Sequence, residues 1–377
     1  MNIISKIDPK KVYLVTSNAE SGTLESLPVD TQIETIDLDY LWQSQLHFSK
    51  DDKVCIASEA AIELVTSRID NPAKQQAIRL LKDKYAFRQM LGNLYPQYQY
   101  QLVKANDIQS LKIDRKSIIK PVKGVFGTAV RMIDRDTDLA NLSGELQSEL
   151  LKNKSIFSDS VLSQDDFLVE QYIEGEEYAV DMFYNSVGDP CITNIYHHPI
   201  PANRSYLHVI YYSSKAVFDR IYTKAKDFFI TLNKILNVTN LTIHSEFKLD
   251  DEELVPIELN SLRFGGMGLG NMIFHALGVN PYLNFLNESE PDWQTLWDGK
   301  EQDIFTFFVA YNGATIDLTS HKPNYKLLEQ QFTKILSKQY FDYQHQLVFG
   351  IYCLKETKQN LSTLLKIDFD NFFEKVC

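Results

Sequence analysis

Cysteine is scarce in this chain, and the four present, Cys55, Cys191, Cys353 and Cys377, are widely scattered with no C-x-x-C pair. That spacing excludes a disulfide framework and a thiolate zinc site, and it fits reduced thiols in a cytoplasmic protein. Cys377 stands at the last position, too late for a prenylation signal. Apolar runs of membrane-spanning length are missing, and the opening Met1-Asn-Ile-Ile-Ser-Lys6 lacks the apolar stretch of a secretory leader. Basic residues are the minority, 38 Lys and Arg against 50 Asp and Glu for a net charge of −12. Nucleic acid and anionic membrane are therefore not expected as main partners, because both need clustered positive charge. No G-x-G-x-x-G motif occurs, so a dinucleotide site of the usual kind is unsupported. Internal repeats and low-complexity tracts are absent as well.

What is there describes an ordinary soluble protein. The apolar fraction of 44% and charged fraction of 23% rule out a disordered chain, and 377 residues predict two or three subdomains. Lys11–Thr16, Thr31–Leu38 and Lys53–Ala57 read as strands alternating with helical patterns, which predicts a small α/β unit with a largely parallel sheet. Asn71-Pro72 opens a helix expected to run to Leu91, with Ala77, Leu80, Leu81, Phe87 and Leu91 near helical spacing. Further strands are expected at Ser117–Pro121, Thr128–Ile133, Phe167–Ile173 and Glu177–Tyr184. An amphipathic helix follows at Tyr222–Leu236, and another at Asn271–Leu277 stops at Gly278 and Pro281. Beyond residue 300, Ile304–Tyr311, Lys326–Leu336 and Leu347–Leu354 carry the clearest patterns but no cluster of reactive groups. Their expected role is packing, or one wall of a substrate pocket.

The most informative segment runs from Leu241 to Gly266. Leu241, Ile243, Ser245 and Phe247 alternate with Thr242, His244, Glu246 and Lys248, and Val255, Ile257 and Leu259 alternate with Pro256, Glu258 and Asn260. Asp250-Asp-Glu-Glu253 supplies a polar turn. A hairpin centred near Glu252 sets Glu246 opposite Glu258 and His244 opposite Asn260. Two carboxylates facing each other across a strand pair repel, whereas a hard divalent cation needs such oxygen ligands. The pattern points to a Mg²⁺ site beside a nucleotide phosphate.

Two other segments carry charge next to glycine. Lys120 ends a strand and is followed by Pro121 and a turn with Gly124 and Gly127, where backbone amides can face an anion. Val169-Glu-Gln-Tyr-Ile-Glu-Gly-Glu-Glu177 places Glu170 near a strand exit. Taken singly, these read as a solvated lysine and an acidic edge strand; their order along the chain is what gives them weight.

In that order the chain resembles the ATP-grasp superfamily over roughly residues 1–290. The motifs are Lys82-Asp-Lys84, Lys120-Pro-Val-Lys-Gly-Val-Phe-Gly127, Glu170-Gln-Tyr-Ile173 with Glu177, and the hairpin with Arg263-Phe-Gly-Gly266. The resemblance implies an ATP-grasp fold, α/β overall and α+β in its ATP-binding part. It implies an N-terminal α/β domain over 1–78, an ATP-grasp domain over 79–300 with 115–175 as mobile lid, and a C-terminal extension over 301–377. Lys84 and Lys120 then reach the phosphates, with Gly124 and Gly127 in the loop that closes over them. Glu170 and Ile173 hold adenine, Glu177 the ribose, and Glu246, Glu258 and Asn260 the Mg²⁺, with Mn²⁺ as the alternative ion. Arg263, Gly265, Gly266 and His244 face the acyl substrate, with Arg263 and Lys120 catalytic.

Within the superfamily the hairpin is most similar to carboxylate–amine ligases, in particular the L-amino-acid ligases that make dipeptides. That implies amide formation through an acyl phosphate, with small-molecule carboxylate and amine substrates in a cytoplasmic enzyme, for which a homodimer is the default. The competing expectations are an ATP-binding regulator without ligase activity, or another ATP-grasp reaction such as carboxylation or phosphotransfer. The sequence departs from the family twice: Ser261 and Leu262 separate Asn260 from Arg263, and Val125-Phe126 stand where small residues are common. Other readings stay open. His197, His198 and Arg204 either meet substrate or are plain loop residues. His244 orients substrate or phosphate, or bonds Asn260, and Lys248 neutralises nearby carboxylates.

Overall fold

The structure, a computed structural model, describes residues 8, 10–17, 24, 26–124, 127–153, 162–201 and 208–376. It begins with β1 (Val12–Thr16), a buried Val-Tyr-Leu-Val-Thr run whose β-branched and aromatic side chains suit a central strand. It pairs in parallel with β2 (Ile33–Asp37) on one side and β3 (Lys53–Ile56) on the other. Helices α1 (Leu38–Gln43) and α2 (Ile62–Arg68) accompany this sheet.

The single helix expected from Asn71 to Leu91 is two, α3 (Pro72–Lys82) and α4 (Lys84–Leu91). Asp83 causes the break. Its backbone is extended, and its carboxylate accepts from the Tyr85 and Ala86 N–H groups, capping a new helix. Lys84 thereby becomes the first residue of α4, and its own N–H donates to the Val122 carbonyl at 2.8 Å.

A second sheet follows. Strands β4 (Tyr100–Lys104), β5 (Ser117–Pro121), β6 (Arg131–Ile133) and β7 (Asp166–Gln171) run antiparallel in the order β4-β7-β5-β6. Helix α5 (Leu139–Asn153) covers them, and Ile119, Leu146, Phe167 and Val169 belong to a core of their own. Gly175 joins β7 to the next strand with φ +95°; a Cβ there would collide with the Leu249 carbonyl oxygen, so the crossing requires glycine.

The third unit is built on one antiparallel sheet. Its members are β8 (Glu176–Tyr184), β9 (Pro190–His198), β10 (Ile210–Ser214), β11 (Leu241–Asp250) and β12 (Glu253–Ser261). Helix α6 (Lys215–Leu236) starts earlier than its apolar stripe suggested, because Ser214 caps it, and it packs Phe228 and Phe229 against Phe247. Short helices α7 (Met272–Leu277), α8 (Pro281–Asn287) and α9 (Trp293–Trp297) lead to β13 (Ile304–Tyr311). Then come β14 (His321–Pro323), α10 (Tyr325–Glu329), β15 (Lys334–Tyr340), β16 (Val348–Glu356), α11 (Lys358–Leu364) and β17 (Phe373–Lys375). The large sheet has the order β12-β11-β8-β9-β10-β13-β16-β15, so residues beyond 300 supply three of its strands. Among the described residues no helix is long and apolar enough to cross a membrane.

Candidate active site

The hairpin has the register its alternation predicts. Glu246 lies opposite Glu258 and His244 opposite Asn260. Asp251 and Glu252 both adopt left-handed φ values, 42° and 69°, as a two-residue turn between twisted strands needs. A bulge after Glu246 shifts the register toward the turn. Burial works to raise the Glu258 carboxyl, but Lys84, Lys82 and Lys120 overcome it and hold the group down to about 2.

Leu262 resolves the extra residue before Arg263. It sits at φ +65°, fully buried, with its N–H on the Thr242 carbonyl and its own carbonyl accepting from Ile56 N–H at 2.7 Å. Leu262 thus ties the end of β12 to the end of β3, and Arg263 after it reaches Glu59, just past that strand, at 3.1 Å. Lys82 bonds the other oxygen of Glu59. Burial tends to raise the Glu59 carboxyl, and Arg263 and Lys82 pull it below its ordinary value. Asn260 sits between these groups. With its amide turned so that Nδ2 donates to Glu258 Oε1 and Glu59 Oε1, both at 3.2 Å, Oδ1 accepts from Arg263 Nη2. Turned over, the amide oxygen would face the oxygens of Glu258 and Glu59, a contact between acceptors that only a cation could relieve. Two carboxylates and an amide oxygen fit Mg²⁺ or Mn²⁺. Among the described residues no cluster of three His, Cys, Asp or Glu side chains forms a metal site by itself.

The lysines converge from two sides. Lys84 Nζ lies 3.1 Å from Glu258 Oε1 and 3.5 Å from the Gly124 carbonyl, which Lys82 also approaches at 3.4 Å. Gly127 takes φ +68°. Lys120, at the end of β5, bonds Glu170 Oε1 at 2.6 Å, and Arg88 of α4 bonds Glu170 Oε2 at 2.8 Å. Burial favours the neutral Glu170 acid, but these two cations keep its carboxyl below the usual range. The Glu170 carboxylate thus anchors Lys120. Ile173 is buried in the link from β7 to β8. Beyond it, Glu177 accepts from His198 Nδ1 at 2.6 Å and faces Lys248 at 3.3 Å. Burial would raise its carboxyl, but His198 and Lys248 lower it to about 2.

His244 bonds Asp181 rather than Asn260, with Nδ1 to Oδ1 at 2.7 Å, and its Nε2 lies 3.8 Å from Glu246. The Tyr196 hydroxyl donates to Asp181 Oδ2 at 2.6 Å. Burial alone would lower the imidazole, but Asp181 raises it from 6.5 to about 9. The pair therefore contributes stability in full below pH 6.5 and loses it as pH rises through about 9. A urea-unfolding series from neutral to pH 10 should show a decline on the order of 3 kcal/mol that the Asp181→Asn variant lacks. An equal decline in that variant would refute the assignment.

His197 points the other way along β9, with Nδ1 2.7 Å from the Tyr212 hydroxyl and its ring stacked on Tyr178. Burial depresses it to about 4, so it is neutral. Gly265 and Gly266 follow Arg263 after Phe264, and a Cβ on Gly265 would meet Leu269. Arg204, Val125, Phe126 and Cys377 lie outside the described residues. Three contributors escape sequence reasoning: Glu59, Arg88 and Asp181. Each had a faint signal. Glu59 follows a parallel strand, at the end where such sheets place ligands. Arg88 falls on the apolar stripe of its helix, and Asp181 interrupts the apolar run of β8.

Residues 113–271 match the ATP-grasp domain family. Three solved structures share the architecture. An L-amino acid ligase from Bacillus licheniformis is 13% identical, covering 97% of this chain and 99% of that one, with TM-score 0.64. N5-carboxyaminoimidazole ribonucleotide synthetase from Thermotoga maritima is 11% identical over 97% and 99%, with TM-score 0.57. Biotin carboxylase from Campylobacter jejuni is 14% identical over 97% and 86%, with TM-score 0.58. No curated protein sequence matches the chain. At such identities the structural likeness shows the fold alone, an ATP-grasp fold, and residues 113–271 are the part of the chain that matches the ATP-grasp domain family.

Proposed function

We propose that the protein is an ATP-dependent carboxylate–amine ligase that forms an amide or peptide bond between amino-acid-like substrates and releases ADP. A free carboxylate is a poor electrophile, and transfer of the γ-phosphoryl group of ATP makes it an acyl phosphate. An amine then forms the C–N bond as phosphate leaves. Phosphoryl transfer asks the protein mainly for positioning and charge stabilisation. Bound Mg²⁺, held by Glu246, Glu258 and Asn260, would supply neutralisation of phosphate oxygens. Lys84 and Lys120 take the remaining negative charge, and Arg263 receives the acyl carboxylate. The amides near Gly265 and Gly266 stabilise the tetrahedral intermediate. The small sheet with Gly124 and Gly127 is the lid that keeps water from the acyl phosphate. Glu170, engaged by Lys120 and Arg88, leaves adenine to the backbone near Ile173, and Glu177 takes the ribose.

The observation that carries this reading is the position of Arg263. Glu59 and Asn260 hold it beside the carboxylates proposed to bind metal, and its buried Nε has no hydrogen-bond partner among the described residues. A cation with a spare donor next to a phosphate site suits a carboxylate awaiting activation.

The test is ADP release against amino acids offered singly and in pairs, with bicarbonate as a separate arm. Release that needs two amino acids supports the ligase. Release with one partner alone points to phosphotransfer, release driven by bicarbonate to carboxylation, and tight ATP binding without any release to a regulator.

A further inference from the structure

Glu258 is claimed twice. As a metal ligand it must offer an oxygen to a divalent cation, yet its Oε1 already accepts from the Lys84 ammonium at 3.1 Å. Lys84 is itself confined. Its side chain is 8% exposed, Asp83 fixes the start of its helix, and the Gly124 carbonyl is its other near neighbour, at 3.5 Å. The ammonium therefore has few places to go, and a second cation on the same oxygen meets it at close range. A phosphate oxygen changes this, because it gives the ammonium an anion of its own.

We propose that Lys84 and the divalent cation compete for Glu258, and that nucleotide phosphate settles the competition by drawing the ammonium away from the carboxylate. This deepens the reading above and rests on its metal assignment. Lys84 then does two things. It binds phosphate, and it keeps free metal from occupying the site before the nucleotide arrives. Metal and nucleotide favour each other through Lys84 in addition to their direct bond, and by linkage the effect is reciprocal.

The expected result is read by Mn²⁺ binding followed by electron paramagnetic resonance, without turnover. In nucleotide-free protein, Lys84→Met should bind Mn²⁺ about tenfold more tightly than wild type, since a unit positive charge beside the ligand is gone. Lys84→Gln keeps a donor while removing the charge, and it should behave alike if the methionine variant fails to fold. Lys82→Gln is the control. Lys82 bonds Glu59 and acts on Glu258 only through its field, without the hydrogen bond that Lys84 makes, so its loss should raise the affinity by clearly less than the loss of Lys84 does. A non-hydrolysable ATP analogue should improve Mn²⁺ affinity by a larger factor in wild type than in either Lys84 variant.

Unchanged Mn²⁺ affinity in both Lys84 variants, or an equal gain from Lys82→Gln, would overturn the competition while leaving the metal assignment standing. No Mn²⁺ binding by any variant, with or without the analogue, would overturn both. Because no arm depends on amide formation, a different ATP-grasp reaction would not affect the outcome.

Discussion

Glu258→Gln is expected to lower ADP formation by about a thousandfold or more while the protein stays folded. The substitution keeps the size of the side chain and removes the charge that a divalent cation needs, and losing one electrostatic stabiliser of phosphoryl transfer costs about 10²–10³ in rate. Glu258 holds more than one such role, since it faces Glu246 across the hairpin and binds Lys84. Stability should move little. Lys84 loses its carboxylate partner, which costs about 1–3 kcal/mol, but the repulsion between the paired glutamates disappears with it. A coupled ADP assay and a urea midpoint measured on the same preparation separate the two effects. ADP formation near the wild-type rate would remove Glu258 from the metal centre, and a collapsed urea midpoint would make the rate uninformative about chemistry.

The hairpin that carries this prediction was readable because period-two alternation on either side of a polar segment sets the register that buries Leu241, Ile243 and Phe247 together. Its bulge was not readable, since no glycine marks it. The break between α3 and α4 was hidden for a related reason. Lys82-Asp-Lys84 is compatible with continuous helix, and only the caps that Asp83 makes to Tyr85 and Ala86 decide otherwise. That break lets two lysines in one tripeptide reach the same Gly124 carbonyl. The missing site residues share a different cause. Glu59 meets Arg263 across 204 residues, and Arg88 meets Glu170 across 82. Local periodicity carries no information about partners so distant. The chain order of the motifs indicated a nucleotide site, but the ion pairs that aim its cations belong to tertiary structure. Leu262 is the instructive case. As a sequence feature it is one of two residues that depart from the family before Arg263, and in the fold its left-handed backbone sets Arg263 against Glu59.

Removing Glu170 tests the largest of these hidden pairings. Its carboxylate is the shared partner of Arg88 and Lys120, whose side chains are 3% and 10% exposed. Glu170→Ala leaves two buried cations together without a counter-ion. Breaking a buried pair from one side costs about 3–5 kcal/mol, and the second cation places this variant at the upper end. Nucleotide binding should weaken as well, because Lys120 loses the group that fixes it at the end of β5. A structural effect alone would be recovered by any change that restores packing, and this gives the decisive comparison. Replacing all three members, Arg88→Met, Lys120→Met and Glu170→Leu, exchanges the charged cluster for apolar volume and removes the desolvation cost together with the mutual attraction. Such exchanges are commonly neutral or stabilising. The triple variant should therefore regain most of the urea stability that Glu170→Ala loses, while its affinity for ATP stays low. Recovery of both stability and ATP affinity would mean that Lys120 does not touch the nucleotide and that the Arg88–Glu170–Lys120 cluster serves only to join the small sheet to α4.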